Sequence, residues 1–247
     1  MLRDWEKERD ARVIWIRSVL NGMGVVYGNS GGKDCTLAGI LCRMATDRVL
    51  GVILPCQSSR NFGQDRDDAL RVAKQFDIPT IEVDVTPVKE AFLRVLEPVL
   101  QGMEISEENA AKGKMNINPR LRMTTLYTIA QSRGALVCGT GNRSEATMGY
   151  FTKWGDGACD FNPIADLTAT EIFDFLRFLG APSEIIEKAP SAGLFEGQTD
   201  EAEMGIRYAE IDEYLLHGTG TEENIARIEH VRDATSHKRT LPKTYPG

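Results

Sequence analysis

Met23-Gly24-Val25-Val26-Tyr27-Gly28-Asn29-Ser30-Gly31-Gly32-Lys33-Asp34 is the stretch on which the reading of this chain turns. Met23 to Tyr27, between Gly22 and Gly28, is a short apolar run that suits a buried parallel strand. Asp34 to Met44 then carries Leu37, Ile40 and Leu41 on one helical face. Strand, glycine loop and helix in that order put free backbone N–H groups and the positive end of a helix dipole where an anion can sit. The loop is not a Walker A motif, which needs Gly-Lys followed by Ser or Thr, because Lys33 is followed by Asp34. Nor is it Gly-x-Gly-x-x-Gly. A carboxylate at the loop's end suits phosphate only if a divalent cation bridges the two. The same residues also suit a plain βα turn with an N-terminal Asp cap.

Outward from this stretch the alternation continues. Trp5 to Leu20 reads as an amphipathic helix; Val49 to Leu54, Thr80 to Val85 and Ala135 to Cys138 read as strands; Asp65 to Phe76, Pro87 to Leu100 and Leu121 to Ser132 read as helices. This predicts an α/β fold with a doubly wound parallel sheet, helices on both faces and a ligand crevice at the carboxyl ends of the strands. One domain is expected over 1–247. The polar stretch Gly102 to Asn118 breaks the pattern and reads as a lid, a partner-facing loop or a mobile connection. Gly139 to Asp160 is rich in glycine, acids and aromatics and reads as site rather than core. Helices are expected at Thr168 to Leu179, Asp200 to Leu215 and Thr221 to Val231, before a basic tail at Ser236 to Lys243.

The 247 residues are 42% hydrophobic and 26% charged, within the range of soluble globular chains. No apolar run approaches the roughly 20 residues of a membrane span, and the mixed charges of the first ten residues lack the basic start and apolar stretch of a secretory signal, so a cytoplasmic location is expected. The five cysteines are odd in number and form no Cys-x-x-Cys pair, against both a disulfide framework and a zinc knuckle. A formal charge of −7 opposes nucleic-acid binding, and a bound nucleotide would be small.

Ser30-Gly31-Gly32-Lys33-Asp34 resembles the Ser-Gly-Gly-x-Asp-Ser motif of the ATP pyrophosphatase superfamily, which cleaves ATP between the α and β phosphates to adenylate a substrate. Four later stretches resemble the ammonia-dependent NAD synthetases in order and spacing: Arg120-Leu-Arg-Met, Gly139-Thr-Gly-Asn-Arg-Ser-Glu, Gly149-Tyr-Phe-Thr-Lys-Trp-Gly-Asp-Gly, and Pro190-Ser-Ala-Gly-Leu-Phe-Glu-Gly-Gln-Thr-Asp-Glu. The resemblance implies a Rossmann-like fold of the ATP pyrophosphatase type. It implies a ligase that converts deamido-NAD, ATP and ammonia to NAD, AMP and pyrophosphate through an acyl adenylate, the last step of NAD biosynthesis. Magnesium would be held by Asp34 and Glu145, with Lys33 on phosphate charge. ATP would lie against Gly28, Asn29, Ser30, Gly31, Gly32, Lys33, Asp34 and Cys35, with Gln64, Thr140 and Ser191. Deamido-NAD would meet Arg122, Lys153, Asp156 or Asp160, and the tail pair His237-Lys238. A homodimer is also implied, with Leu121 to Ser132 and the 102–118 segment at its two-fold interface.

Ammonia as the nitrogen donor is expected because the glutamine-dependent relatives carry an added amidotransferase domain for which this chain has no room. Blander readings stand beside these assignments. Glu145 also suits a solvated helix acid, Thr140 and Ser191 suit caps, Gln64 a surface residue, Arg122 a helix-surface charge, and His237-Lys238 a frayed terminus. Two residues depart from the pattern. Cys35 replaces the loop's second serine, and Ala169 stands where the family usually places a lysine on ATP phosphate, leaving that task to Lys33 or Arg143. The alternatives are a nucleotide-binding paralogue with little turnover, or another adenylating pyrophosphatase such as a tRNA thiolase, which commonly adds Cys-x-x-Cys pairs and a basic surface.

Overall fold

Val25, Val26 and Tyr27 are all fully buried, as happens when both faces of a sheet are covered. In the computed structural model, which describes residues 3–188 and 200–245, these residues form the middle of β1 (Gly24–Gly28). β2 (Val49–Ile53) and β4 (Ala135–Cys138) flank β1, and β3 (Thr80–Glu82) lies outside β2; all pairings are parallel, in the order β3-β2-β1-β4. Val25 and Tyr27 face a layer made by α1 (Trp5–Leu20), α2 (Lys33–Ala45) and α9 (Ala169–Leu179), where Trp5 stacks on Phe175 at 4.9 Å. Val26 faces the other layer, with Leu50, Val52, Val137 and Ala130 of α7 (Ile117–Arg133). A third cluster, including Met148, Ala169, Ile211 and Ile228, joins α8 (Arg143–Met148), α12 (Tyr208–His217) and α13 (Glu222–Ala234) to the start of α9.

The strand order places the site. From β1 the chain runs through α2 to β2, then through α3 (Ser59–Phe62) and α4 (Gln64–Gln75) to β3. It then returns past α5 (Thr86–Gln101), α6 (Glu107–Met115) and α7 to reach β4 on the opposite side of β1. The loops leaving β1 and β4 therefore diverge, which opens a crevice between them at the point where the winding reverses.

Several expected elements differ from those found. The polar stretch after Gly102 contains α6, capped by Ser106, whose Oγ accepts from Asn109 N at 3.3 Å. None of its residues is buried, so it is a helix without the apolar stripe by which sequence periodicity is read. The expected helix from Asp200 to Leu215 is two, α11 (Asp200–Met204) and α12, separated at Gly205, whose φ of 65° ends the first. β3 stops at Glu82, although Val83 N still donates to Ile53 O at 2.9 Å. The short helices α8 and α10 (Ser183–Ile186) had no periodic signal. No helix among the described residues is long and apolar enough to cross a membrane.

Candidate active site

The loop after β1 is held by its own short side chains. Asn29 N donates to Val52 O at 2.8 Å, and the Asn29 amide donates to Ala69 O at 3.3 Å. At Gly31, φ is 70°, and a Cβ there would lie 2.3 Å from the backbone oxygen of Asp65, so glycine is required on both counts. Cys35 Sγ sits 3.2 Å from Ser30 Oγ and donates to Gly32 O at 3.2 Å. Burial pushes this thiol's pKa up, which keeps it protonated and suits a structural brace rather than a nucleophile.

Two carboxylates meet where the loops of β1 and β4 face each other. Asp34, in the first turn of α2, accepts from the Asn142 amide at 3.0 Å. Asn142 caps α8 and exchanges hydrogen bonds with Glu145: its Oδ1 accepts from Glu145 N at 2.9 Å, and its own N donates to Glu145 Oε2 at 3.0 Å. Burial, then the charge on Asp34, raises the Glu145 carboxyl well above the ordinary range, against the pull of Lys33. Lys33 is not aimed outward. Its Nζ donates to Asp34 Oδ2 at 2.7 Å and lies 5.3 Å from the ring of Tyr208 and 5.8 Å from that of Phe173. Burial alone would depress the ammonium, but Asp34, Glu145 and Asp200 outweigh it and hold Lys33 above its usual value.

The donor set fits Mg²⁺. Among the described residues no group of three or more His, Cys, Asp or Glu could hold a metal ion by itself. Mg²⁺ is characteristically bound through one or two carboxylates, with substrate phosphates and water completing an octahedron. Asp34 and Glu145, sharing Asn142 as a neighbour and lining an open cavity, supply hard oxygen ligands of that kind.

That cavity is about 1160 Å³, above the roughly 300–1,000 Å³ of a single small-ligand pocket. Gly28, Asn29, Ser30, Gly32, Lys33, Asp34, Cys35, Thr140 and Glu145 form one part of its lining, and Arg122, Asp156 and Lys238 lie in another. Arg122 is held by neutral acceptors beyond the carboxyl end of β2: Nε donates to Leu54 O at 3.0 Å, and a terminal nitrogen donates to Asn61 Oδ1 at 2.9 Å. Burial pulls its pKa down, while Asp156 and Asp65 act on it only through space. Asp156, in the lining but reaching solvent, accepts from Thr152 N at 2.9 Å, and desolvation by the surrounding walls raises its pKa.

The remaining expected residues are placed unequally. Asp160 turns to the sheet, accepting from Val137 N at 2.7 Å and from Tyr127 OH at 3.3 Å, so of the two acids Asp156 is the one in the lining. Lys153 donates to the backbone oxygen of His237 and lies 5.3 Å from the Trp154 ring; neither Lys153 nor His237 is in the lining. Lys238 Nζ is fastened to Gly149 O at 2.7 Å and Phe151 O at 2.8 Å. Gln64 is exposed at the start of α4 and outside the lining, and Gly31 is buried against α4, also outside it. Ser191 lies outside the described residues.

The NAD synthase family profile matches residues 10–242. The chain belongs to the NAD synthase family. It is 41% identical over 244 residues to the NH3-dependent NAD(+) synthetase of Carboxydothermus hydrogenoformans, covering 97% of each chain. Among solved structures it is similar to NMN synthetase from Francisella tularensis, with a TM-score of 0.90 and 34% identity over 100% of both chains. It is also similar to the NH3-dependent NAD synthetase of Campylobacter jejuni, with a TM-score of 0.77 and 27% identity, covering 99% of this chain and 100% of that one.

In this member of the NAD synthase family, Ala169 is fully buried against Met148, Ile206 and Tyr208, and it is not in the cavity lining. Its N donates to Ser144 Oγ at 3.1 Å. Arg143, expected to compensate, donates instead to Leu215 O at 3.1 Å, and Lys33 is committed to Asp34. The lining cations not named from sequence are Arg66, Lys112, Lys188 and Arg239. Asn142, Asn61 and Trp154 were also missed. Trp154, exposed at the cavity mouth with φ of 59°, holds a backbone conformation that costs a bulky residue about 1–3 kcal/mol and is found mainly where a site requires it.

Proposed function

We propose that this cavity makes a pyridine carboxamide from deamido-NAD, ATP and ammonia, releasing AMP and pyrophosphate. The observation that carries this reading is one cavity lined both by the glycine loop with its Asp34–Glu145 pair and by Arg122, a cation with no hydrogen bond to an acid among the described residues. The nicotinate carboxylate oxygen attacks the α-phosphorus of ATP, the bond to the β-phosphate oxygen breaks, and pyrophosphate leaves. Ammonia nitrogen then attacks the acyl carbon, the carbon–oxygen bond to AMP breaks, and nitrogen loses a proton to water. The loop N–H groups and the N-terminus of α2 orient the phosphates, the Arg122 fork orients the second nucleotide, and the cavity walls limit hydrolysis of the adenylate. Asp34 and Glu145 would hold Mg²⁺, which would supply countercharge for a pyrophosphate leaving group. Ala169 alone does not argue for a paralogue without turnover, because its side chain lies outside the lining.

A second reading concerns the acceptor. The TM-score is 0.90 with an NMN synthetase and 0.77 with an NAD synthetase, which favours a mononucleotide, nicotinate mononucleotide, as a competing substrate. Incubation with ATP, Mg²⁺, ammonium and either acceptor, with AMP and amide measured, decides between them through the ratio of kcat/KM values. Nucleotide binding without AMP release from either acceptor would defeat the ligase reading altogether.

We also propose a homodimer whose interface adds α5 to the expected Leu121 to Ser132 helix and 102–118 segment. α5 buries none of its residues, and Val88, Phe92, Val95 and Val99 line up at helical spacing, with Val95 75% exposed. Met103 and Ile105 extend this face, and a cavity of about 430 Å³ opens beside it between Phe92, Ile105 and Leu121. Such a continuous apolar face marks an interface. Light scattering should give a dimer at micromolar concentration and a monomer for Val95→Glu; a monomeric parent protein would refute the proposal.

A further inference from the structure

Asn142 touches both candidate magnesium ligands at once. Its side chain is completely buried, and it spends each polar atom on a different member of the pair: Nδ2 donates to Asp34 Oδ1 at 3.0 Å, while Oδ1 accepts from Glu145 N at 2.9 Å. Its backbone N holds Glu145 Oε2 at 3.0 Å, which leaves the other carboxylate oxygen of Glu145 free of that bond. Asp34 and Glu145 lie in helices that follow loops diverging from neighbouring strands, and Asn142 reaches Asp34 across 108 residues of sequence, so the separation of the two acids is not set by local geometry.

The helix that carries Glu145 is itself pinned from behind. α8 has six residues, too few to be stable on its own propensity. Ser144, next to Glu145, donates to the buried carboxylate of Asp212 on α12, and Asp212 also accepts from Thr170 N at 2.7 Å. With α8 fixed in this way to α9 and α12, the Asn142 amide ties Asp34 Oδ1 to the Glu145 helix, while Lys33 holds Asp34 Oδ2 from within α2.

We infer that Asn142 is a positioning residue that presets the spacing of Asp34 and Glu145 for a divalent cation, beyond its service as a helix cap. This rests on reading those two acids as the metal pair. Partners behind metal ligands typically contribute about 10–100-fold to metal affinity. Asn142→Ser retains a cap acceptor for Glu145 N, but its single, shorter hydroxyl lacks the separate amide nitrogen that reaches Asp34. Asn142→Gly is a second variant, since glycine is tolerated at this cap position at a cost of a few tenths of a kcal/mol.

The test titrates Mn²⁺ by electron paramagnetic resonance into the full-length protein with a non-hydrolysable α,β-methylene ATP analogue, and separately measures analogue binding in EDTA. In both variants the half-saturating Mn²⁺ concentration should rise about 10–100-fold, while metal-free analogue binding stays within about twofold. Unchanged Mn²⁺ affinity in a folded variant, or equal losses with and without metal, would overturn the inference. If the parent protein itself bound no Mn²⁺ with the analogue, the metal-pair reading would fall first, and the role of Asn142 with it.

Discussion

Replacing Asp34 with asparagine should cut AMP release by about three orders of magnitude, since a metal that stabilises transition-state charge contributes several kcal/mol and each 1.36 kcal/mol is tenfold in rate. Asparagine keeps the size and one acceptor for the Asn142 amide, now 3.0 Å from Asp34 Oδ1, so gross rearrangement is not the cause of the loss. The variant is preferable to alanine because Asp34 also holds Lys33 at 2.7 Å, with Lys33 6% exposed and Asp34 17%. Removing a partner from a buried pair costs about 3–5 kcal/mol, and here Glu145 and Asp200 still act on Lys33, so stability should fall by less than that. Steady-state AMP formation at saturating Mg²⁺, with urea unfolding alongside, separates the two effects. Full turnover in a stable Asp34→Asn protein would remove Asp34 from the chemistry.

The second large effect has an opposite signature in stability. Arg122 is desolvated with no acid hydrogen-bonded to it among the described residues, so the free protein bears a cost for it that a bound anion would offset. Arg122→Met fills similar space without the charge. It should leave the melting temperature unchanged or raise it, while the KM for the pyridine nucleotide rises about 100-fold, in line with the 2–5 kcal/mol of a buried charge contact. The KM for ATP should move little. A variant that lost stability and affinity for both substrates together would show Arg122 to be a structural residue. Retained fit with Arg122→Lys would show that charge suffices without the bidentate fork.

The parts of the fold legible in the sequence were those encoded locally. The apolar run before Gly28, the glycines and the apolar face of α2 lie within one window, and the alternation of such windows implied a parallel sheet. α6 was missed because a helix held by solvent-facing pairs such as Glu108–Lys112 has no apolar period to detect. The gap between α11 and α12 was hidden because one glycine, Gly205, interrupts an otherwise helical pattern. At the site, Asp34, Glu145, Arg122, Asp156 and Lys238 do line one cavity. The contacts of Lys33 with Tyr208 and Phe173 were not legible, because those rings come from distant helices that no local pattern connects to the loop. Asn142 carried a usable signal, an Asn three residues before Glu145 as in a capping box, but its bond to Asp34 depends on the strand order.

The central claim, that this cavity activates a carboxylate as its adenylate, is tested most directly by isotope transfer. The acceptor is prepared with oxygen-18 in the nicotinate carboxylate and incubated with ATP, Mg²⁺, ammonium and the protein, and the products are weighed by mass spectrometry. One labelled oxygen should appear in the phosphate of AMP, with none in pyrophosphate. Label in inorganic phosphate with release of ADP, or amide formed with unlabelled AMP, would contradict the account.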